Sequence, residues 1–238
     1  MAEKKINIAL NGFGRIGRNL VRKLIKNEKY NIVAINAKTT VSVRAHLFKY
    51  DSIHGHFDGE ISYELDNLII DGHTIPNFDR STPGKLPWDE LDVDYVIDCT
   101  GKFCDYHSLH KHIEAGAKNV IVTSPAKDMD ATLVYGVNET DYKIKESNII
   151  SASSCTTTCL TPLLKVLLKN YGIKNGFITT IHSFTLGQTL LDSSHPDLRR
   201  SRAATLSMIP TSTGAAKNVG VVIPELDGKL DGQAIRVP

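Results

Sequence analysis

The sequence predicts an α/β protein, with a doubly wound parallel sheet in residues 1–154 followed by a smaller α+β unit in 155–238. Three observations predict it. Short, nearly continuous apolar runs alternate with helical patterns through the first segment, as in a parallel sheet covered on both faces. A G-x-G-x-x-G pattern sits between the first apolar run and the first helix. After Cys155 the pattern changes to a leucine-rich helix followed by β-rich segments.

The elements follow in order. "KINIAL" (5–10) reads as a buried strand. From Arg18, "RNLVRKLIKN" puts Leu20, Val21, Leu24 and Ile25 on one helical face. "YNIVAIN" (30–36) is a second strand, and residues 51–90, rich in turns, Gly and Pro, read as an antiparallel excursion. "VDYVIDCTG" (93–101) and "KNVIVTSP" (118–125) are further strands, separated by the helical "SLHKHIEAGA". Beyond Cys155, Leu160, Leu163, Leu164, Leu167 and Leu168 fall at helical spacing, with Pro162 expected to bend the helix and Gly172 to stop it. "GFITTIHSF" (176–184) reads as a strand, 187–203 as a polar loop and "GQAIRVP" as a last extended segment.

Composition narrows the function classes. With 238 residues, 23% charged and 41% hydrophobic, the chain is a globular protein with a sizeable core. A formal net charge of +2 gives no bulk electrostatic case for nucleic-acid binding. The sequence holds no apolar run long enough to span a bilayer and no signal-peptide pattern, so a cytoplasmic location is expected. Cys99, Cys104, Cys155 and Cys159 show no zinc-type spacing and are expected to be free thiols, with no metal site.

The glycine pattern is Gly12, Gly14 and Gly17 in "INIALNGFGRIGRNL". In this strand–turn–helix setting Gly12 allows the tight turn, Gly14 lets a pyrophosphate approach the backbone, and Gly17 lets helix and strand pack closely. The competing reading is an ordinary glycine turn. A dinucleotide site of this kind expects an acidic residue about 20 positions on to bind the ribose hydroxyls. Ala37 stands there instead, followed by Lys38, Thr39 and Thr40. Loss of a carboxylate and gain of a cation suit a 2′-phosphate, so the cofactor is read as NAD or NADP, with NADP favoured by Ala37. The alternative is that Lys38 is a solvated loop charge.

"ISASSCTTTCLTP" (150–162) carries two thiols. A helix starting just after Ser154 would aim its free N–H groups at Cys155 and favour its thiolate form. Among nine histidines, His182 at the end of "GFITTIHS" is the best partner, and a Cys–His pair attacks carbonyls. Cys159, one turn on, reads as packing, and Cys99 and Cys104 as structural. By spacing alone, Cys155 as nucleophile and Cys155 as helix filler stand level.

Taken together, "NGFGRIGR", "SSCTTTCLTP", "TTIHS", "HPDLRRSRAA", "IPTSTGAAKNVG", "PELDGKL" and "IRVP" resemble phosphorylating glyceraldehyde-3-phosphate dehydrogenase, in order and over essentially the whole chain. "LPWDELDVDYVIDCTGKF" and "INA" are similar to its bacterial NADP-using branch. The resemblance implies a Rossmann-type cofactor domain and an α+β catalytic domain that converts glyceraldehyde 3-phosphate and inorganic phosphate to 1,3-bisphosphoglycerate through a cysteine thioester. It makes Cys155 the nucleophile and His182 its activator. It places Arg15 and Ile16 on the cofactor pyrophosphate, Arg80 and Thr123 near its adenosine and nicotinamide ends, and Thr100 and Gly101 along the cleft. Ser154, Thr156, Thr185, Thr213, Gly214 and Arg236 would hold the phosphates. A homotetramer in glycolysis or gluconeogenesis is implied as well. Erythrose-4-phosphate dehydrogenase shares the cysteine and histidine, and is the first alternative; a catalytically dead nucleotide-binding homologue is the second.

The sequence departs from the family pattern at several points. Ala152 and Thr158 stand where asparagines are usual, Ser153 where alanine is usual, and Gly187 where Asp or Thr is usual. The family continues beyond "RVP", so the catalytic domain is expected to be incomplete at Pro238, with "GQAIRVP" an unpaired strand edge and Arg236 on a frayed terminus.

Overall fold

The computed structural model describes residues 4–141 and 148–238, and the chain divides into two compact units. The first holds the described residues 4–132 and 148–152; the second holds 133–141 and 153–238. Segment 133–141 therefore packs with the second unit, whereas a single boundary before Cys155 would leave it in the first. Val134 and Val137 explain this, because both are buried against Leu164, Val219 and Leu226 in the second unit's apolar cluster.

In the first unit the strands are β1 (Ile6–Asn11), β2 (Tyr30–Asn36), β3 (Tyr50–Asp51), β4 (Gly55–His56), β5 (Ile61–Glu64), β6 (Asn67–Ile70), β7 (His73–Phe78), β8 (Tyr95–Asp98), β9 (Asn119–Val122), β10 (Ala131–Thr132) and β11 (Ile149–Ser151). The helices are α1 (Arg15–Leu24), α2 (Val41–Lys49) and α3 (Tyr106–Glu114). Among the described residues nine strands form one sheet in the order β10-β11-β9-β8-β1-β2-β7-β6-β5. It is parallel from β10 to β7 and antiparallel from β7 to β5, which is the expected excursion.

Successive side chains of a strand point to opposite faces, and β1 divides its residues accordingly. Ile8 and Leu10 join a cluster with Val21, Ile35 and Phe48, whereas Ala9 joins Trp88, Val96, Leu109 and Val120. Both faces are thus apolar, as the near-continuous runs predict. The strand order reverses around β1, between β2 and β8, and the C-terminal ends of strands at such a reversal leave a crevice for a ligand. Helix α1 starts at Arg15, three residues before the sequence pattern suggests, because Gly14 already serves as its N-cap.

The second unit contains α4 (Cys155–Tyr171), β12 (Gly176–Ser183), β13 (Ile209–Ser212), α5 (Ala215–Val222) and β14 (Leu230–Val237). Its sheet runs β12-β14-β13, with β14 parallel to β12 and antiparallel to β13. This corrects the expectation for "GQAIRVP": β14 is the central strand, paired on both sides, and Arg236 lies within its ladder, not on a frayed end. Helix α4 absorbs Pro162 without interruption and ends at Gly172, whose φ of 71° is the left-handed value a glycine stop provides. Its core face is Thr157, Thr161 and Leu164. Cys159 points away from that face and is exposed, so it is not the packing residue expected; Leu163 and Leu167 are exposed as well.

Candidate active site and cofactor cleft

The β1–α1 turn is built on its glycines. Gly12 has φ of +100°, and a Cβ there would stand 2.8 Å from the backbone of Cys99 and Thr100. A Cβ on Gly17 would run into the Gly12 carbonyl, whereas Gly14 faces open space. Gly14 caps α1 with no side-chain hydrogen bond, so the first N–H groups of the helix are not taken by a cap. An open backbone at a helix start is what a pyrophosphate needs. A cleft of about 390 Å³ adjoins this turn and is bordered by Gly12, Gly14, Lys38, Arg80 and Thr100. The residues present therefore fit a dinucleotide.

Of the remaining cofactor candidates, Arg15 and Ile16 contribute the first backbone N–H groups of α1, but their side chains turn elsewhere. Arg15 Nη1 is 2.5 Å from the buried Asp51 carboxylate, and Ile16 projects into solvent. Neither they nor Gly101 and Thr123 border the cleft. The Thr123 amide and hydroxyl instead donate to the Asp98 carbonyl at the end of β8. Among the cleft residues not singled out from the sequence are Arg18, Asn36 and Arg44. Arg18 donates to the Phe13 carbonyl, and Arg44 donates to Asn77 Oδ1 and the Ala37 carbonyl. The signal for the two arginines was a charge on a helical face that is otherwise apolar, since Arg18 and Arg44 are buried. Lys38 Nζ donates to the Asp79 carbonyl, 2.8 Å away.

In the second unit Cys155 opens α4 and His182 lies near the end of β12. Their atoms Sγ and Nε2 are 3.3 Å apart. Ser154 is the N-cap, its Oγ accepting from the Thr157 amide at 3.0 Å. The preceding Ser153 has φ of 62°, a left-handed conformation that costs a non-glycine residue about 1 kcal/mol. Ser153 thus sits in a strained turn two residues before the thiol. Cys155 is exposed and Thr156 Oγ1 is 4.0 Å from its sulfur.

His182 Nδ1 has two neighbours of opposite kind. Arg236 Nη1, a donor, is 2.8 Å away and the Ser183 carbonyl, an acceptor, 2.7 Å. The strand register makes this possible, because His182 and Arg236 are direct partners on β12 and β14. A ring so placed is served whether Nδ1 is bare or protonated, so Nε2 can take or return a proton at the sulfur. Burial holds the Arg236 guanidinium below its ordinary value, the nearby Arg200 cation adds to this, and Cys155 opposes it. Arg200 was not anticipated; it donates from Nε and Nη2 to Thr211 Oγ1 at 2.8 and 2.6 Å.

The other phosphate candidates are mixed. Thr213 Oγ1 accepts from the Ala215 amide at the start of α5, where Gly214 is the N-cap. The hydroxyl of Thr185 accepts from Gly187 at 3.4 Å. Ser154 has its oxygen committed to the cap.

A doubly wound sheet with a glycine turn and a basic-rimmed cleft, joined to a unit presenting a thiol to an imidazole, defines a dinucleotide-dependent oxidoreductase of the thiol type. Two family models match the chain, the NAD-binding domain of glyceraldehyde 3-phosphate dehydrogenase over residues 6–106 and the C-terminal domain over residues 154–238. Glyceraldehyde-3-phosphate dehydrogenases of Geobacillus stearothermophilus and Pseudomonas aeruginosa are each 49% identical over 98% of this chain and 70% of their own length. Glyceraldehyde-3-phosphate dehydrogenase 1 of Bacillus subtilis is 48% identical with the same coverage. The chain belongs to the glyceraldehyde-3-phosphate dehydrogenase family.

Proposed function

We propose that the protein is an NAD(P)-dependent, phosphorylating glyceraldehyde-3-phosphate dehydrogenase, with Cys155 as nucleophile and His182 as its acid–base partner. The observation that carries this is the 3.3 Å contact between Cys155 Sγ and His182 Nε2 at the head of α4. Family membership favours glyceraldehyde 3-phosphate over erythrose 4-phosphate.

His182 Nε2 takes the thiol proton and the sulfur attacks the aldehyde carbon, giving a hemithioacetal on Cys155. The oxyanion that forms is held by N–H groups at the α4 start and by the imidazolium. When bound, the nicotinamide supplies the acceptor for the hydride that leaves this carbon. The imidazolium returns its proton to the oxyanion, and neutral His182 then takes that hydroxyl proton back as the hydride leaves and the thioester forms. Inorganic phosphate then attacks the thioester carbon, the Cys155 thiolate leaves, and 1,3-bisphosphoglycerate departs. Arg236, with Thr156, Thr185, Thr213 and Gly214, is assigned to the phosphates. Ser154 is assigned to them through its place beside the thiol.

The test is thiol reactivity together with turnover. An aldehyde-analogue alkylating agent is expected to modify Cys155 far faster than Cys159, which is exposed too, and His182→Gln to slow it by at least about tenfold. Equal rates at the two cysteines would sink the assignment. NADP is the favoured cofactor, because Ala37 removes the expected carboxylate while Lys38, Arg44 and Arg80 border the cleft. The family reading brings with it a homotetramer, a cytoplasmic location and a role in glycolysis or gluconeogenesis. Consistent with that location, all four cysteines are free.

A further inference from the structure

The mechanism leaves one buried polar cluster of the first unit unused. We propose that Asn36, Asn11 and Asp98 form a hydrogen-bonded ladder across three strands that sets both turns bounding the dinucleotide cleft, so that Asp98 and Asn36 are positioning residues for the cofactor. The inference rests on the cofactor reading given above and names the residues that make that cleft.

The register places the three side chains in one row. Asn11 is the direct partner of Asn36 on β2 and of Asp98 on β8, at the C-terminal ends of the strands where their order reverses. All three are buried, with Asp98 at 0% exposure. Asn36 Nδ2 donates to Asn11 Oδ1 at 2.7 Å, and Asn11 Nδ2 donates to Asp98 Oδ2 at 2.7 Å.

Each end of the row holds a turn. Asn36 Oδ1 accepts from the Arg80 amide at 2.7 Å and its Nδ2 donates to the Arg80 carbonyl at 2.9 Å, so one side chain grips the backbone of that residue from both sides. Asp98 Oδ1 accepts from the Thr100 amide at 3.0 Å and the Thr100 hydroxyl at 2.6 Å. Arg80 and Thr100 border the cleft.

A third partner fixes Asp98 from behind. Trp88 Nε1, which can only donate, is 2.9 Å from His112 Nδ1, so that nitrogen is bare and the ring carries its proton on Nε2. This Nε2 lies 3.3 Å from Asp98 Oδ2, and His112 is fully buried. Apolar side chains in this row would leave the Arg80 and Thr100 backbone groups without these partners, so the polar row is what holds both turns in place.

The arrangement makes an exchange possible. Asn11 Nδ2 also lies 3.3 Å from His112 Nε2, so in Asp98→Asn the new amide group, Asn11 Nδ2 and His112 Nε2 all face one another as donors. Rotating that amide takes the acceptor from Thr100 instead. Combining it with Asn11→Asp reverses the central bond and restores every partner: Asn36 Nδ2, the new amide and His112 Nε2 all donate to the new carboxylate.

The experiment is the dinucleotide Kd of the wild type, Asp98→Asn, Asn36→Ala and the exchanged pair. It is read from quenching of Trp88, the single tryptophan, at a temperature where circular dichroism shows each protein folded. Both single variants are expected to raise Kd roughly tenfold or more, the factor that one lost buried hydrogen bond corresponds to. The exchanged pair is expected to return to within about threefold of wild type. Should Asp98→Asn fail to fold, Asn36→Ala and the exchanged pair carry the test. A folded single variant with wild-type Kd overturns the proposal, as does an exchange that restores the melting temperature without restoring affinity. A wild type that binds neither NAD nor NADP would instead bring down the cofactor reading, and the ladder's role with it.

Discussion

At the scale of the residue, Asp51 decides where Arg15 goes. Its carboxylate accepts from the His54 and Ile53 amides, each at 2.9 Å, and from Arg15 Nη1. The His54 amide is the largest of the influences that hold this carboxyl well below the usual carboxylate range, with Ile53 and Arg15 adding to it against the opposing effect of burial. A carboxyl with a lowered folded-state pKa stabilises the fold above its unfolded value, near 4, and loses that contribution as pH falls through the folded value. Asp51→Ala is therefore expected to lose about 2–3 kcal/mol at pH 7 in a urea melt, because two amides and a guanidinium lose their acceptor. The gap from wild type should narrow as pH is taken below about 4. A gap that widens in acid would contradict the assignment. None of this was legible in the sequence. The resemblance put Arg15 on the pyrophosphate, and the carboxylate that claims its guanidinium lies 36 positions away, which leaves its backbone N–H for that role. By contrast Gly12 and Gly17 were fully legible, since each answers a local steric demand that sequence spacing records.

At the scale of the element, α4 is where sequence and structure part most clearly. Its start was readable, because Ser154 before Cys155 is an N-cap residue followed by a helical pattern, and the cap is present. Its buried face was readable in part: Leu164 is buried and Leu160 and Leu168 pack against the same cluster, whereas Leu163 and Leu167 are exposed and Thr157 and Thr161 are buried. Leucine spacing says that a helix forms; which side is covered depends on what packs there, here Val219, Val222 and Leu226. The same holds for β14, whose central position depends on two distant strands and leaves no local mark. The cap itself can be tested. Ser154→Ala is expected to lower stability by about 1 kcal/mol, because the Thr157 amide loses its acceptor, and Ser154→Thr to retain most of it. Since the cap fixes the turn that presents Cys155, the alanine variant should also be alkylated more slowly at that thiol. A stability change with no change in alkylation rate would separate the cap from the presentation of the sulfur.

At the scale of the whole molecule, the first unit is the part whose stability a cofactor can report. It carries apolar clusters on both faces of one sheet, and its cleft lies at the strand-order reversal that joins them. A ligand that binds only the folded state adds RT ln(1 + [L]/Kd), about 2.7 kcal/mol at a hundred times Kd. The size of that gain at a fixed concentration ranks cofactors without any turnover. The side of the cleft beyond Ala37 contains Lys38, Thr39, Arg44 and Arg80. Lys38 is held near the rim by the Asp79 carbonyl, which leaves its charge at the surface beside that turn. A 2′-phosphate would meet cations there, whereas the two ribose hydroxyls of NAD find no carboxylate at residue 37. NADP is therefore expected to raise the melting temperature more than NAD at equal concentration, and Lys38→Ala to reduce the NADP shift while leaving the NAD shift nearly unchanged. High salt should narrow the difference, since part of it is an exposed ion pair. A larger shift with NAD would mean that backbone and hydroxyl contacts outweigh these charges, and the protein would then be an NAD enzyme in spite of Ala37.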